Sequence, residues 1–183
     1  MNNRIGVIVD GPGDYAALRS RFGHFRILKT DGPRGHSPSV SQIVSTACKQ
    51  LTMLQAFGCN LVVVVTDFEA RTCSYRSFVD QLSEAFAGRY SDFNVAVAVP
   101  NWMIENWYLA DIAYLSTKKV FLRKVKKQKS YEGKNGKKVL RRLFHRKYNY
   151  NEVKHGAELF AILRFDRAKK LSESLKDFLS LLS

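Results

Sequence analysis

Residues 61–69 read Leu-Val-Val-Val-Val-Thr-Asp-Phe-Glu. The run is uninterrupted and β-branched after its first residue, as expected for a central parallel strand buried on both faces. Upstream of it, residues 39–57 have helical spacing, with Ile43, Ala47, Leu51 and Leu54 on one face. Downstream, a helix is expected over residues 75–87. Further out, Ile5-Gly6-Val7-Ile8-Val9 is a second short apolar run, closed by the turn residues Asp10-Gly11-Pro12-Gly13. Asp14 is placed to cap a helix running to Phe22. Residues 25–28 read as a strand and residues 30–38, TDGPRGHSP, as a loop. Val95, Val97 and Val99 alternate as a last strand, which Pro100 stops, and residues 102–115 read as a helix. The order β-α-β-α-β-α-β-α is that of an α/β fold, an open, mostly parallel sheet with helices on its faces.

In such sheets ligands collect outside the carboxyl ends of the strands, and Asp10, Asp67 and Glu69 all fall there. Asp67 and Glu69 are two apart, so in extended backbone their side chains point the same way. With the first and third strands as neighbours, about 5 Å apart, three carboxylates converge. Such a cluster is unfavourable until something positive fills it. Mg2+ or Mn2+ suits an all-oxygen site, binding through a few carboxylates plus water and substrate phosphate. That is equipment for phosphodiester chemistry. The alternative is plain helix capping, which would account for Asp10 and Asp14 alone. On the helix expected after Pro100, Glu105 shares a face with Trp102, Leu109 and Ile112, and Asp111 with Ile104, Tyr108 and Leu115. Acids on an apolar helix need a partner when buried. Either they pair with basic residues from the tail or they face the cleft. Trp102, Trp107 and Tyr108 are expected in the core.

Length and an apolar content of 45% suit one domain with a helical extension. The polar start and the lack of any membrane-length apolar run are not those of a secreted or membrane-spanning chain. Cys48, Cys59 and Cys73 lack CxxC spacing, so neither a disulfide framework nor a structural zinc site is expected, and a reducing cytoplasm is the expected compartment. His24, His36, His145 and His155 share no metal-ligand spacing and are read as surface or packing residues.

Charge is more telling. Between Lys118 and Lys147 the chain carries fourteen Lys and Arg against one acid, Glu132, which is nearly all of its +14 net charge. A near-neutral body with one cationic segment points to a polyanion partner. Lys124, Lys126 and Lys127 precede a turn at Gly133-Lys134-Asn135-Gly136, and Lys137, Lys138, Arg141, Arg142 and Arg146 follow it. On a helix Lys138, Arg141, Arg142 and Arg146 form one stripe, leaving Val139, Leu140 and Leu143 to pack. Nucleic acid bound there would be held without sequence preference and with strong salt dependence. The interleaved Tyr131, Phe144, Tyr148 and Tyr150 are placed to stack on bases. An acidic protein partner, or a merely solvated face, would carry the same charge run. Helical patterning returns over residues 156–163 and 166–182. We therefore divide the chain into an α/β domain, residues 1–117, and a basic helical extension, residues 118–183, packed on the same domain, with the basic stretch partly mobile.

These residues resemble a known family. Val7-Ile8-Val9-Asp10-Gly11-Pro12-Gly13-Asp14 resembles the first TOPRIM motif, and Val62 to Glu69, VVVVTDFE, the second. Within that superfamily the chain is most similar to small stand-alone TOPRIM-like proteins of unknown function, related to nucleases of the overcoming-lysogenization-defect (OLD) type. The specific part is a strand, a proline and a helix with Glu-x-Trp-x-x-x-Asp, here Pro100 to Asp111 with Glu105, Trp107 and Asp111. The likeness extends to Gly156-Ala157-Glu158-Leu159 and Ser174 to Leu179. It implies a TOPRIM-like fold and a metal-dependent nuclease, often beside an ATPase partner in bacterial defence against phage. By position Asp10 would be the general acid/base, Asp67 and Glu69 metal ligands, and Asp14 and Glu105 secondary acids. The family pattern has glutamate at Asp10 and aspartate at Glu69, so reach to a metal changes by about 1.5 Å in opposite senses.

Two functions of different class follow: a magnesium- or manganese-dependent nuclease, favoured by the clustered acids, and a non-catalytic adaptor for nucleic acid or an ATPase, favoured by the exchanged acids. A receiver domain phosphorylated at Asp67 would want a lysine after the last strand, where Pro100 and Asn101 stand.

Overall fold

Each apolar run becomes a strand. The computed structural model describes residues 4–32 and 37–182, so His36 and part of the loop after residue 30 lie outside the described residues. Strand β1 (Ile5–Val9) is buried throughout, as is β3 (Leu61–Val65) apart from its first residue. Strands β2 (Arg26–Lys29) and β4 (Val95–Ala98) are shorter and more exposed, as edge strands are. The sheet is parallel throughout in the order β2-β1-β3-β4, with Val9 level with Val65.

The connections divide between the two faces. Helix α1 (Pro12–Phe22) follows β1; α2 (Val40–Ala56) and α3 (Tyr75–Arg89) lead into β3 and β4. Ile8, Val62 and Val64 pack with Leu51, Leu54, Phe78, Leu82 and Phe86 from α2 and α3. Val7, Val9, Val63 and Val65 face the other way, towards α1 and the tail. Helix α2 begins with a capping box, in which the Ser39 hydroxyl accepts from the Gln42 amide and the Gln42 side chain from the Ser39 amide. Asp14 does not cap α1. The cap is Gly11, and Pro12 starts the first turn, where a missing N–H costs nothing.

The helix expected over residues 102–115 is two short ones, α4 (Glu105–Leu109) and α5 (Ile112–Lys118). Asp111 leaves helical geometry between them (φ −130°, ψ 26°). Its carboxylate accepts from Arg164 Nε at 2.9 Å and Nη2 at 2.6 Å, a bidentate pair that holds the break. The tail supplies α6 (Gly136–Leu143), α7 (Glu152–Ala161), α8 (Phe165–Ala168) and α9 (Glu173–Leu181), so the single helix expected over 166–182 is also two. Trp107 stacks on Phe178 at 4.8 Å and donates to the Ser174 hydroxyl. Phe121, Leu140, Phe144, Leu159 and Phe160 join the same core as Val7 and Val63. Residues 118–183 therefore complete the second face of the sheet.

Glu132, the lone acid of the basic stretch, accepts from the hydroxyls of Ser172 and Ser174, tying that stretch to the start of α9. His155 is buried, its Nδ1 accepting from the Asn151 amide and its ring against Phe121 and Phe144. His24 packs on Phe25, and His145 is exposed. The three cysteines are unpaired thiols. No helix among the described residues is long and apolar enough to cross a membrane.

Candidate active site

Because β1 leads to α1 and β2 on one side, and β3 to α3 and β4 on the other, the crevice between their carboxyl ends is the switch point of the sheet. A cavity of about 210 Å³ opens there. Asp10, Asp14, Asp67, Glu69 and Glu105 line it from the strand side, and Lys137, Tyr150 and Glu152 from the tail.

Register brings the first acids together. Thr66 follows Val65 as Asp10 follows Val9, and the Thr66 hydroxyl donates to Asp10 Oδ2 at 3.0 Å. Asp14, one turn into α1, shares a side-chain hydrogen bond with Asp10. Burial first, then the Asp10 charge, hold Asp14 well above the usual carboxylate range. Asp67 takes the Ile104 amide on Oδ1 at 3.1 Å and is likewise raised, by burial and then by Asp14 and Asp10. Both line the cavity and are partly exposed. Glu105 is 3% exposed; its Oε1 accepts from the Tyr150 hydroxyl at 2.9 Å, and burial raises its pKa against the pull of Lys137. Glu105 therefore faces the cleft and Asp111 pairs with the tail, so the two acids divide the alternatives open to them.

Glu69 corrects the extended-strand reading. The strand ends at Val65, and Glu69 sits in a turn at φ 53°, so it does not repeat the direction of Asp67. Its Oε2 accepts from the Ser37 amide at 2.6 Å.

Lys137 was expected on the basic surface. It is instead half-buried in the cavity wall, its Nζ 2.9 Å from Glu152 Oε1. Burial disfavours its ammonium, but Glu105 and Glu152 outweigh this and raise its pKa. Gly136 makes the placement possible, since a Cβ there would lie 2.7 Å from Asn106 Oδ1 and 2.9 Å from Glu105 Cβ. The signal available beforehand was that glycine, opening a helix within a run of cations.

The family model described as "Domain of unknown function (DUF4276)" matches residues 10–183. The chain belongs to the DUF4276 family. No curated protein and no solved structure matches it. The DUF4276 match begins at Asp10, so it takes in every cavity acid and the wall built by the tail.

The donors suit a hard divalent cation chemically: all are oxygens, and mutual repulsion already makes ionisation costly. Among the described residues no three Asp, Glu, His or Cys side chains are grouped so as to hold an ion. Magnesium asks less than that, taking one or two carboxylates and completing its shell with water and phosphate.

Outside the cavity, Lys124, Lys126, Lys127, Lys138, Arg141, Arg142 and Arg146 are all exposed. On α6, Leu140 is buried and Val139 and Leu143 pack inward, as their spacing implied. Of the interleaved aromatics, Phe144 and Tyr150 are taken up by the fold, while Tyr131 and Tyr148 are half-buried. Phe144 is buried against Phe121 at 4.9 Å, Tyr148 meets the Phe121 edge, and Tyr150 is committed to Glu105.

Proposed function

We propose that this DUF4276 protein is a metal-dependent nuclease cutting DNA or RNA phosphodiesters at the ends of β1 and β3. The observation that carries the reading is the crowding of Asp10, Asp14 and Asp67 into one cavity at the switch point, two of them held protonated beyond the usual range. Asp10 and Asp67 would hold Mg2+ or Mn2+, with Asp14, Glu69 and Glu105 around them. The bound ion would activate water and offset charge on the leaving oxygen. Asp10, beside Asp14, would be the group to move a proton there. Lys137, steadied by Glu152, presents the only cation in the cavity lining among the described residues, where a phosphate would sit. Tyr150 holds Glu105 in place through its hydroxyl. The exposed cations of the tail would bring the strand in. The likeness to TOPRIM motifs supports the same chemistry, and an ATPase partner in antiviral defence belongs to the proposal on that likeness alone.

A second reading has its own observation. The absence of a ready metal-holding group among the described residues favours an adaptor that binds nucleic acid or an ATPase without cutting.

The test is incubation of the purified chain with mixed DNA and RNA in manganese or magnesium, beside Asp67→Ala and an EDTA control. Cleavage lost in both controls is expected. Uncut substrate bound in a salt-sensitive way would favour the adaptor.

A further inference from the structure

Helix α8 carries cations of its own. Arg164, Arg167 and Lys170 form one rim of a groove of about 420 Å³ on the tail side of the molecule, remote in sequence from the run at 118–147. Its floor is apolar, made by Ala110, Ala113 and Leu171. Its single acid, Asp111, is already neutralised by the bidentate pair with Arg164.

The other rim is Gln128, from the middle of the basic segment. That side chain is clamped: Oε1 accepts from the Ala113 amide at 2.8 Å, and Nε2 donates to the Leu109 carbonyl at 2.7 Å. The clamp holds the middle of the basic segment against α4 and α5 beside the groove. A second tie joins the same two regions. Lys118 and Arg164 both lie on the ring of Tyr114, at 5.6 and 3.9 Å from its centroid. The two basic regions thus form one surface with the groove between them.

We infer that this groove is a binding track for single-stranded nucleic acid, with phosphates on Arg167 and Lys170 and sugar or base on the apolar lining. An apolar lining beside free cations suits an unpaired strand, whose bases are free to lie down, more than a closed duplex. The inference rests on the reading of the basic segment as a polyanion surface and adds its path and the form of the ligand.

The test uses the full chain and a labelled oligothymidylate, titrated at several salt concentrations. Arg167→Glu with Lys170→Glu is compared with Lys49→Glu with Arg89→Glu, an equal charge change at exposed positions on α2 and α3. The groove pair is expected to weaken binding about tenfold or more and to lower the salt slope by about 1.4, from ~0.7 per phosphate contact on single strands. The control pair should move both much less. Equal effects of the two pairs, or a loss confined to duplex, would overturn the groove while leaving a polyanion surface in place. If the wild type binds no oligothymidylate but binds polyglutamate, the nucleic-acid reading of the whole segment falls with it.

Discussion

Asp67 gives one oxygen to the Ile104 amide and keeps the other towards a cavity already holding Asp10 and Asp14. The folded chain therefore binds a proton there more tightly than the unfolded chain does. Stability falls as pH rises from the ordinary aspartate value, ~3.9, through the raised one, because the native state must then give up protons. Asp67→Asn keeps a carbonyl oxygen for Ile104 and removes the charge. It should stabilise the metal-free protein at neutral pH by about 1 kcal/mol, roughly 2–4 °C in Tm for a chain of this size, and flatten the slope. Melts of both proteins across the pH range in EDTA check this; an unchanged slope would mean that Asp67 ionises freely in the fold. At this scale the reading of strand-end acids named Asp10, Asp67 and Glu69, all of which line one cavity, while Asp14 and Glu105 were site acids only through the family likeness. It could not see Lys137, because one lysine among fourteen cations looks like its neighbours until packing turns it inward.

Among the elements, β1 and β3 were legible because a five-residue apolar run has few other uses, and β4 because its valines alternate up to Pro100. The helices after Pro100 were not. Periodicity continues through Asp111, and what breaks the helix is a partner 53 residues away, Arg164. The start of α6 offers a sharper test of how elements meet. Gly136→Ala would drive a Cβ into Asn106, whose amide nitrogen lies 3.0 Å away, and into Glu105 Cβ, neither of which can swing clear. A loss of about 1–3 kcal/mol is expected, with Lys137 displaced from Glu152. Gly88→Ala in α3, where a new Cβ meets nothing within 4 Å, should instead stabilise by about 0.5–1 kcal/mol. Denaturant melts of the two variants with opposite signs would confirm that contact, and not backbone freedom, explains Gly136.

Across the whole molecule, the division at residue 117 marks a change in charge but not a boundary in packing. Val7 and Val63 share their core with Leu159, Phe160 and Phe178, so a chain ending at residue 117 would strip much of the packing from that face of the sheet. That truncation should show no cooperative melt in calorimetry, whereas an independent α/β domain would show one. Composition could mark where the cations begin; it carries no information on which face of a sheet they close.

The far wall of the cavity comes from residues 137–152, and the acids from residues 10–105. A ribosome therefore releases all four strands and every strand-end acid well before it releases the lysine, tyrosine and glutamate that enclose them. While the chain is being made, its acids face water with no wall opposite. The enclosure of those acids therefore waits on residues 137–152, whatever the strands have already formed.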